Sequence, residues 1–360
     1  MDTRTWRLKA LAISAAPATL FIIVVLATSR ATMGQVLSLI EPYMVVASVI
    51  WTIVLVGCLL VALAKPLVTR KYDVSPLELV GGAVRRRWRD DYFLSMLWPM
   101  VLFGLLFGIF AVFKQTILRR HGFGDDPVFA AWDRTIFFGV QPWRLTHALP
   151  APWTSLVLDR IYAFWYVPMI GILLACAFLR RSVEFRTRYL LAFVGCWTLV
   201  GGLMAYLLPA AGPCYAQVFH PGMTDYRSLM ASLHGDEGRL SHIMPGTRLF
   251  ALSTESYLLQ LHESASLGFG GGISAMPSMH VAQASLTAAA AFRVGKVLGW
   301  IATAYALLIF VGSIHFGWHY AIDGMVAVAA TVAIWIGSRI VVEKLLGPWP
   351  DAGSLQGKGT

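Results

Sequence analysis

Eight apolar runs of near-spanning length divide the chain, at 10–29, 43–64, 93–113, 161–178, 189–208, 276–292, 297–316 and 320–342. A helix that crosses a bilayer needs about 20 predominantly apolar residues, so the pattern predicts about eight transmembrane helices and no sheet. The last three runs are rich in alanine and glycine. Small residues let helices approach closely in lipid, so these three are expected to form an inner bundle.

The polar connections alternate in kind. Short basic ones carry Arg4, Arg7 and Lys9 before the first run, Arg85, Arg86, Arg87 and Arg89 after the second, and Arg180, Arg181, Arg186 and Arg188 after the fourth. Arg293, Lys296, Arg339 and Lys344 continue the series. Cytoplasmic loops carry the excess of Lys and Arg, which predicts that both termini are cytoplasmic. Residues 76–89 read as a topology signal or an amphipathic helix on the inner leaflet. Two long connections, 114–160 and 209–275, lie on the opposite side, and long loops are usually functional. Residues 248–263 have a helical rhythm of leucines, expected to lie along the outer interface. The expected organisation is a two-helix membrane segment with its basic loop (1–92), a six-helix core (93–345) and a disordered polar tail (346–360).

Composition sharpens this picture. Hydrophobic residues make up 57%, charged residues 13%, and mean hydropathy is +0.65. A soluble domain is about 45–50% apolar and about 25% charged, so a soluble enzyme and a disordered chain are both excluded. The net charge of +10 lies in the short inner connections, which argues for membrane topology and against a nucleic-acid partner. Arginine outnumbers lysine 22 to 7 and asparagine is absent, a bias that suggests a GC-rich bacterial genome, and in a bacterium such a helix bundle is expected in the inner membrane. The first run is long for a cleaved leader and lacks a strong cleavage site, so a retained anchor is expected. Four cysteines form neither a disulfide framework nor a CxxC zinc pattern.

All nine histidines fall on the predicted outer side. Two segments there place ionisable groups at helix starts, where such groups suggest function. In the first, Gly270-Gly271-Gly272 leads through Pro277 and Ser278 to Met279 and His280. Free N–H groups and the positive end of a helix dipole suit a phosphate, and Ser278 adds a hydroxyl. In the second, Ser313 and His315 precede His319 and Asp323. Residues four apart share a helix face. A carboxylate behind an imidazole fixes its tautomer, and a histidine so held is a good nucleophile or base. A zinc site on His315 and His319 with Asp323 or His280 is the competing reading. No HExxH glutamate supports it, and neither metal nor organic cofactor is expected.

Pro277-Ser278-x-His280 followed by His319-x-x-x-Asp323 resembles the type 2 phosphatidic acid phosphatase superfamily. The Ala-Met-Pro-Ser-Met-His and His-Tyr-x-x-Asp forms are most similar to the inositol phosphorylceramide synthase branch. Asp133, Gly139, Pro142, Tyr206, Pro209, Gly212 and Pro213 are similar to that branch too. The resemblance implies a six-helix core and a phosphohistidine on His319, oriented by Asp323. It also implies His280 as acid and base, and Ser278 and nearby N–H groups on phosphate oxygens. A membrane lipid phosphate or phospholipid would be the substrate, at the extracytoplasmic (periplasmic) face. Inositolphosphotransferase-type headgroup transfer is the first expectation and plain hydrolysis of phosphatidic acid or a polyprenyl diphosphate the second. A transporter with a histidine relay is a third class, disfavoured by the nearly charge-free helix interiors.

Two family features are missing. Lys114 is followed by His121-Gly122 where the phosphatases carry Lys-x6-Arg-Pro, and no arginine stands beside Ser313. Substitute cations are sought among Lys114, Arg119, Arg120, Arg134, Arg144, Arg160, Arg227, Arg239 and Arg248. Lys114, Met279, Ser313 and His315 join Ser278 as candidate substrate contacts.

Overall fold

The computed structural model describes residues 3–69, 92–178 and 183–347, with residues 78, 81 and 82 besides. The expected basic segment 76–89 and the polar tail lie mainly outside these residues. Every regular element among the described residues is a helix. We number the longer helices α1 (Thr3–Thr28), α2 (Met33–Thr69), α3 (Tyr92–Val112), α4 (Asp126–Ile136), α5 (Pro142–Thr146), α6 (Trp153–Ala163) and α7 (Tyr166–Phe178). They continue as α8 (Val183–Gly195), α9 (Asp225–Ile243), α10 (Phe250–Glu263), α11 (Met279–Phe292), α12 (Lys296–His315) and α13 (Ala321–Leu346).

Seven helical segments among the described residues are long and apolar enough to cross a membrane. The sixth expected run differs. Pro277 and the cap at Ser278 start α11 at Met279, and the helix ends at Phe292, after 14 residues. At about 1.5 Å per residue it is too short to span alone. Nine of its residues are buried, so it lies among other helices and need not match the lipid thickness. It packs on α12 and α13, as its alanines predict.

The N-terminal pair is fastened to this core. Helix α2 runs along α3, and α1 packs on α8. A side chain at Gly108 would place Cβ 2.6 Å from the Ile40 Cα, so only glycine permits that close crossing. One apolar cluster, including Leu106, Leu173, Phe193, Trp197 and Leu286, fills one half of the bundle. A second, including Phe129, Tyr162, Leu229, Met276, Val281 and Phe316, underlies the long connections.

Those connections are not loose loops. The first holds α4, α5 and α6, and the second holds α9 and α10. The leucine rhythm at 248–263 is realised as α10. Helix α3 passes into a π-helical stretch at Phe113–Leu118, a feature common at functional sites. It carries Lys114 and Gln115.

Candidate active site

His319 lies in the short link between α12 and α13. The link turns at Gly317, where φ is +68°. The His319 N–H donates to the Ser313 carbonyl at 3.2 Å. Its ring Nδ1 donates to the Ala275 carbonyl at 2.7 Å, while Asp323 Oδ2 stands 3.4 Å from the same nitrogen. The backbone carbonyl is therefore the principal partner and the carboxylate the second. Both fix the proton on Nδ1 and leave the Nε2 lone pair free. Burial holds the His319 imidazole well below the ordinary histidine range, down to about 3. The Ala275 bond opposes that shift and Lys114 adds to it. A neutral imidazole is the nucleophilic form.

Buried carboxylates hold this link in place. Asp323 Oδ2 accepts the Tyr320 N–H at 3.0 Å, capping α13. Asp133 accepts the N–H groups of Ala321 (2.7 Å) and Ile322 (2.8 Å). Burial raises the Asp133 carboxyl to about 6, against the pull of those two bonds. Asp126 accepts from Ala211 N (2.9 Å), Gly212 N (2.8 Å) and the Tyr320 hydroxyl (2.9 Å). At Gly212, φ is +103° and an added Cβ would stand 2.6 Å from the Trp318 carbonyl oxygen. The strand of chain at 210–213 is thus pressed directly against the His319 link.

His280 enters from the first turn of α11. Ser278 caps that helix, its hydroxyl accepting from Val281 N at 3.4 Å, and its own N–H donates to the Asp323 carbonyl at 3.3 Å. The His280 ring stacks on Tyr162 (4.7 Å between centroids) and meets Trp165 edge-on (4.7 Å) and His319 at 5.7 Å. Three buried polar atoms around this point have no partner: His280 Nδ1, the Tyr162 hydroxyl and Asp323 Oδ1. Buried polar atoms are normally satisfied, so such a group marks a place made for a polar guest.

A family model described as PAP2 superfamily matches residues 128–337. This is more than half of the chain, and it contains Ser278, His280, His319 and Asp323. The chain belongs to the PAP2 superfamily. No curated protein and no solved structure matches it significantly.

The sequence-level candidates separate into two sets in this PAP2 chain. Ser278, His280, His319 and Asp323 come together. Lys114 joins them from outside the matched region; it is the basic side chain whose charge acts on both His280 and His319. Six of the other candidate cations are held elsewhere. Arg134 pairs with Asp225 and Arg239 with Asp236. Arg160 meets Asp159 and the Arg248 carbonyl, Arg120 the Thr28 carbonyl, and Arg227 the Gln217 side chain. Arg144 lies over the Trp143 ring. Arg119 lines a small pocket with Gln115, His262, Ser266 and Gly272, beside Lys114.

Ser313 contributes through its backbone, because its hydroxyl donates to the Phe310 carbonyl at 2.7 Å. Met279 is packing: its sulfur lies 2.9 Å from where a Cβ at Gly201 would stand. The His315 ring turns away toward Ser155, at 2.9 Å, so it does not pair with His319. Tyr162, Trp165 and the Ala275 carbonyl are the site groups that the motifs do not reveal. An aromatic residue at a membrane-helix start reads as an interfacial anchor, and a carbonyl has no sequence signature.

Proposed function

We propose that this membrane protein transfers a phospho-headgroup from a phospholipid to a lipid or sugar hydroxyl through a phosphohistidine on His319. The observation that carries the reading is the committed Nδ1 of His319, which leaves Nε2 as a neutral nucleophile beside His280. Nε2 attacks phosphorus as the P–O bond to the leaving alcohol breaks. His280, charged as the imidazolium once the anionic substrate is bound, gives that oxygen its proton and afterwards takes one from the acceptor hydroxyl, whose oxygen displaces Nε2 and returns both histidines to their starting forms. Phosphoryl transfer relies on positioning and charge stabilisation. Lys114, the first-turn N–H groups of α11 and the Tyr162 hydroxyl are the donors suited to the phosphoryl oxygens.

Transfer to a hydroxyl is favoured over hydrolysis by the enclosure of the pair. His319 is 4% exposed, and aromatic rings surround His280, so a bound alcohol is the better-placed acceptor. The distribution of basic residues supports an extracytoplasmic site in a bacterial inner membrane, with both termini cytoplasmic. Hydrolysis of a lipid phosphate by the same intermediate is the second reading, since it needs only water at the acceptor position.

The test uses purified protein in lipid nanodiscs with phosphatidic acid or phosphatidylinositol, with and without added diacylglycerol or inositol. Headgroup exchange that depends on the added alcohol and disappears in His319→Ala supports transfer. Phosphate release without an alcohol supports hydrolysis. Exchange that persists in His319→Ala rejects both.

A further inference from the structure

A second buried polar cluster lies away from the His319 pair. His147 follows α5, Ser155 is on α6, Asp236 on α9 and His315 ends α12. Ser155 donates its hydroxyl proton to Asp236 Oδ2. Its oxygen can then only accept from His315 Nε2, at 2.9 Å. His315 therefore carries its proton on Nε2, and its Nδ1 holds a bare lone pair. That nitrogen is buried, makes no hydrogen bond of normal geometry, and belongs to a residue 2% exposed. The Thr146 carbonyl also approaches this ring.

His147 repeats the pattern. Its Nε2 donates to the His315 carbonyl at 2.9 Å, which leaves Nδ1 as a second lone pair. The two imidazoles stack at 4.1 Å between centroids. Two imidazole lone pairs and a buried carboxylate thus lie in one cluster, with Arg239 as the cation on Asp236. One ligand atom from each of His147, Asp236 and His315 lies within 4.8 Å of the others.

We propose that His147, Asp236 and His315 bind one divalent transition-metal ion, zinc by its ligand chemistry. Two nitrogens and one carboxylate oxygen suit zinc better than magnesium or calcium. Tetrahedral zinc holds ligand atoms about 3.4 Å apart, so binding draws the cluster together by at most about 1.4 Å. The stacked rings lie 13° from parallel, so one must turn to aim its lone pair. His147, partly exposed and just past a five-residue helix, is the one free to do so. The ion ties the α5–α6 and α9 segments to α12, one turn before His319. It braces the site and takes no part in transfer.

The test is independent of the proposed activity. Untagged full-length protein is purified in detergent, loaded with zinc chloride, dialysed and assayed for metal, beside His147→Ala, Asp236→Asn and a His242→Ala control. The expected result is about one zinc per chain in wild type and control, and at least a tenfold loss in His147→Ala and Asp236→Asn. Chelator lowers the wild-type Tm and leaves that of His147→Ala unchanged. Cobalt-loaded wild type shows visible ligand-field bands that His147→Ala lacks. Asp236→Asn also loses the Arg239 pair, so His147→Ala decides if the former fails to fold. Background zinc in the loaded wild type, or equal zinc in wild type and His147→Ala, overturns the proposal and leaves a purely hydrogen-bonded cluster.

Discussion

The His319 imidazole is anchored by the Ala275 carbonyl more closely than by Asp323, at 2.7 Å against 3.4 Å from the same Nδ1. Ala275 is in turn tied to the 210–213 segment, its N–H donating to the Ala210 carbonyl at 2.8 Å. The tautomer of His319, the proposed nucleophile, is therefore set by the chain leading into α11, which also delivers His280.

That relationship gives an unequal pair of mutational effects. His319→Ala removes the proposed nucleophile and is expected to abolish transfer. In a triad whose aspartate alone holds the imidazole, Asp→Asn costs about 10⁴ in kcat. Here Ala275 keeps the tautomer, so Asp323→Asn should cost roughly 10 to 100-fold, by the same comparison. Rates for the two variants, with circular dichroism to confirm folding, check this. A loss in Asp323→Asn as complete as in His319→Ala would contradict it.

Tyr162 offers a clean separation of packing from chemistry. Phenylalanine keeps the stacking on His280 and removes the unpartnered hydroxyl. A donor to a developing oxyanion is worth on the order of 100-fold in kcat, so Tyr162→Phe should lower kcat by about 10 to 100-fold with an unchanged Tm. Tyr162→Ala should also destabilise, because truncating a large buried aromatic costs about 3–5 kcal/mol.

Lys114→Met tests the cation. Vanadate binding, read by calorimetry, should weaken by about tenfold or more, since a charge-assisted hydrogen bond contributes roughly 1.5–3 kcal/mol. Arg227→Gln, whose guanidinium is held by Gln217, should bind vanadate as wild type does.

Asp133 predicts a pH-dependent stability. Its carboxyl rises from 3.8 to about 6 on folding, so between those values the folded chain binds more protons than the unfolded one. Stability from this group is fullest below 3.8 and is lost as pH rises through about 6. The Tm of wild type minus that of Asp133→Asn should fall over this interval and stay level above it. A difference that rises with pH would reverse the assignment.

The membrane class, the positions of seven apolar helices and the convergence of Ser278, His280, His319 and Asp323 were legible in the sequence. Apolar run length and helix-start motifs are local signals, and all these features follow from them. The shortness of α11 was not legible, because an alanine-rich run reads alike in lipid and among helices. His315 shows a different limit: one turn from His319 by spacing, its ring belongs to His147, Ser155 and Asp236, which only the tertiary fold brings together. Tyr162 and the Ala275 carbonyl are likewise fixed by packing between segments far apart in the chain.

The most direct test of the central claim is to trap the covalent intermediate. Protein is mixed briefly with phosphatidic acid labelled on phosphorus, quenched in base, digested and mapped by mass spectrometry. A base-stable, acid-labile phosphoryl group on His319, absent from His319→Ala and accumulating in His280→Ala supplied with a good leaving group, is the predicted result. Turnover with no phosphohistidine, or with label on a residue other than His319, would contradict the account.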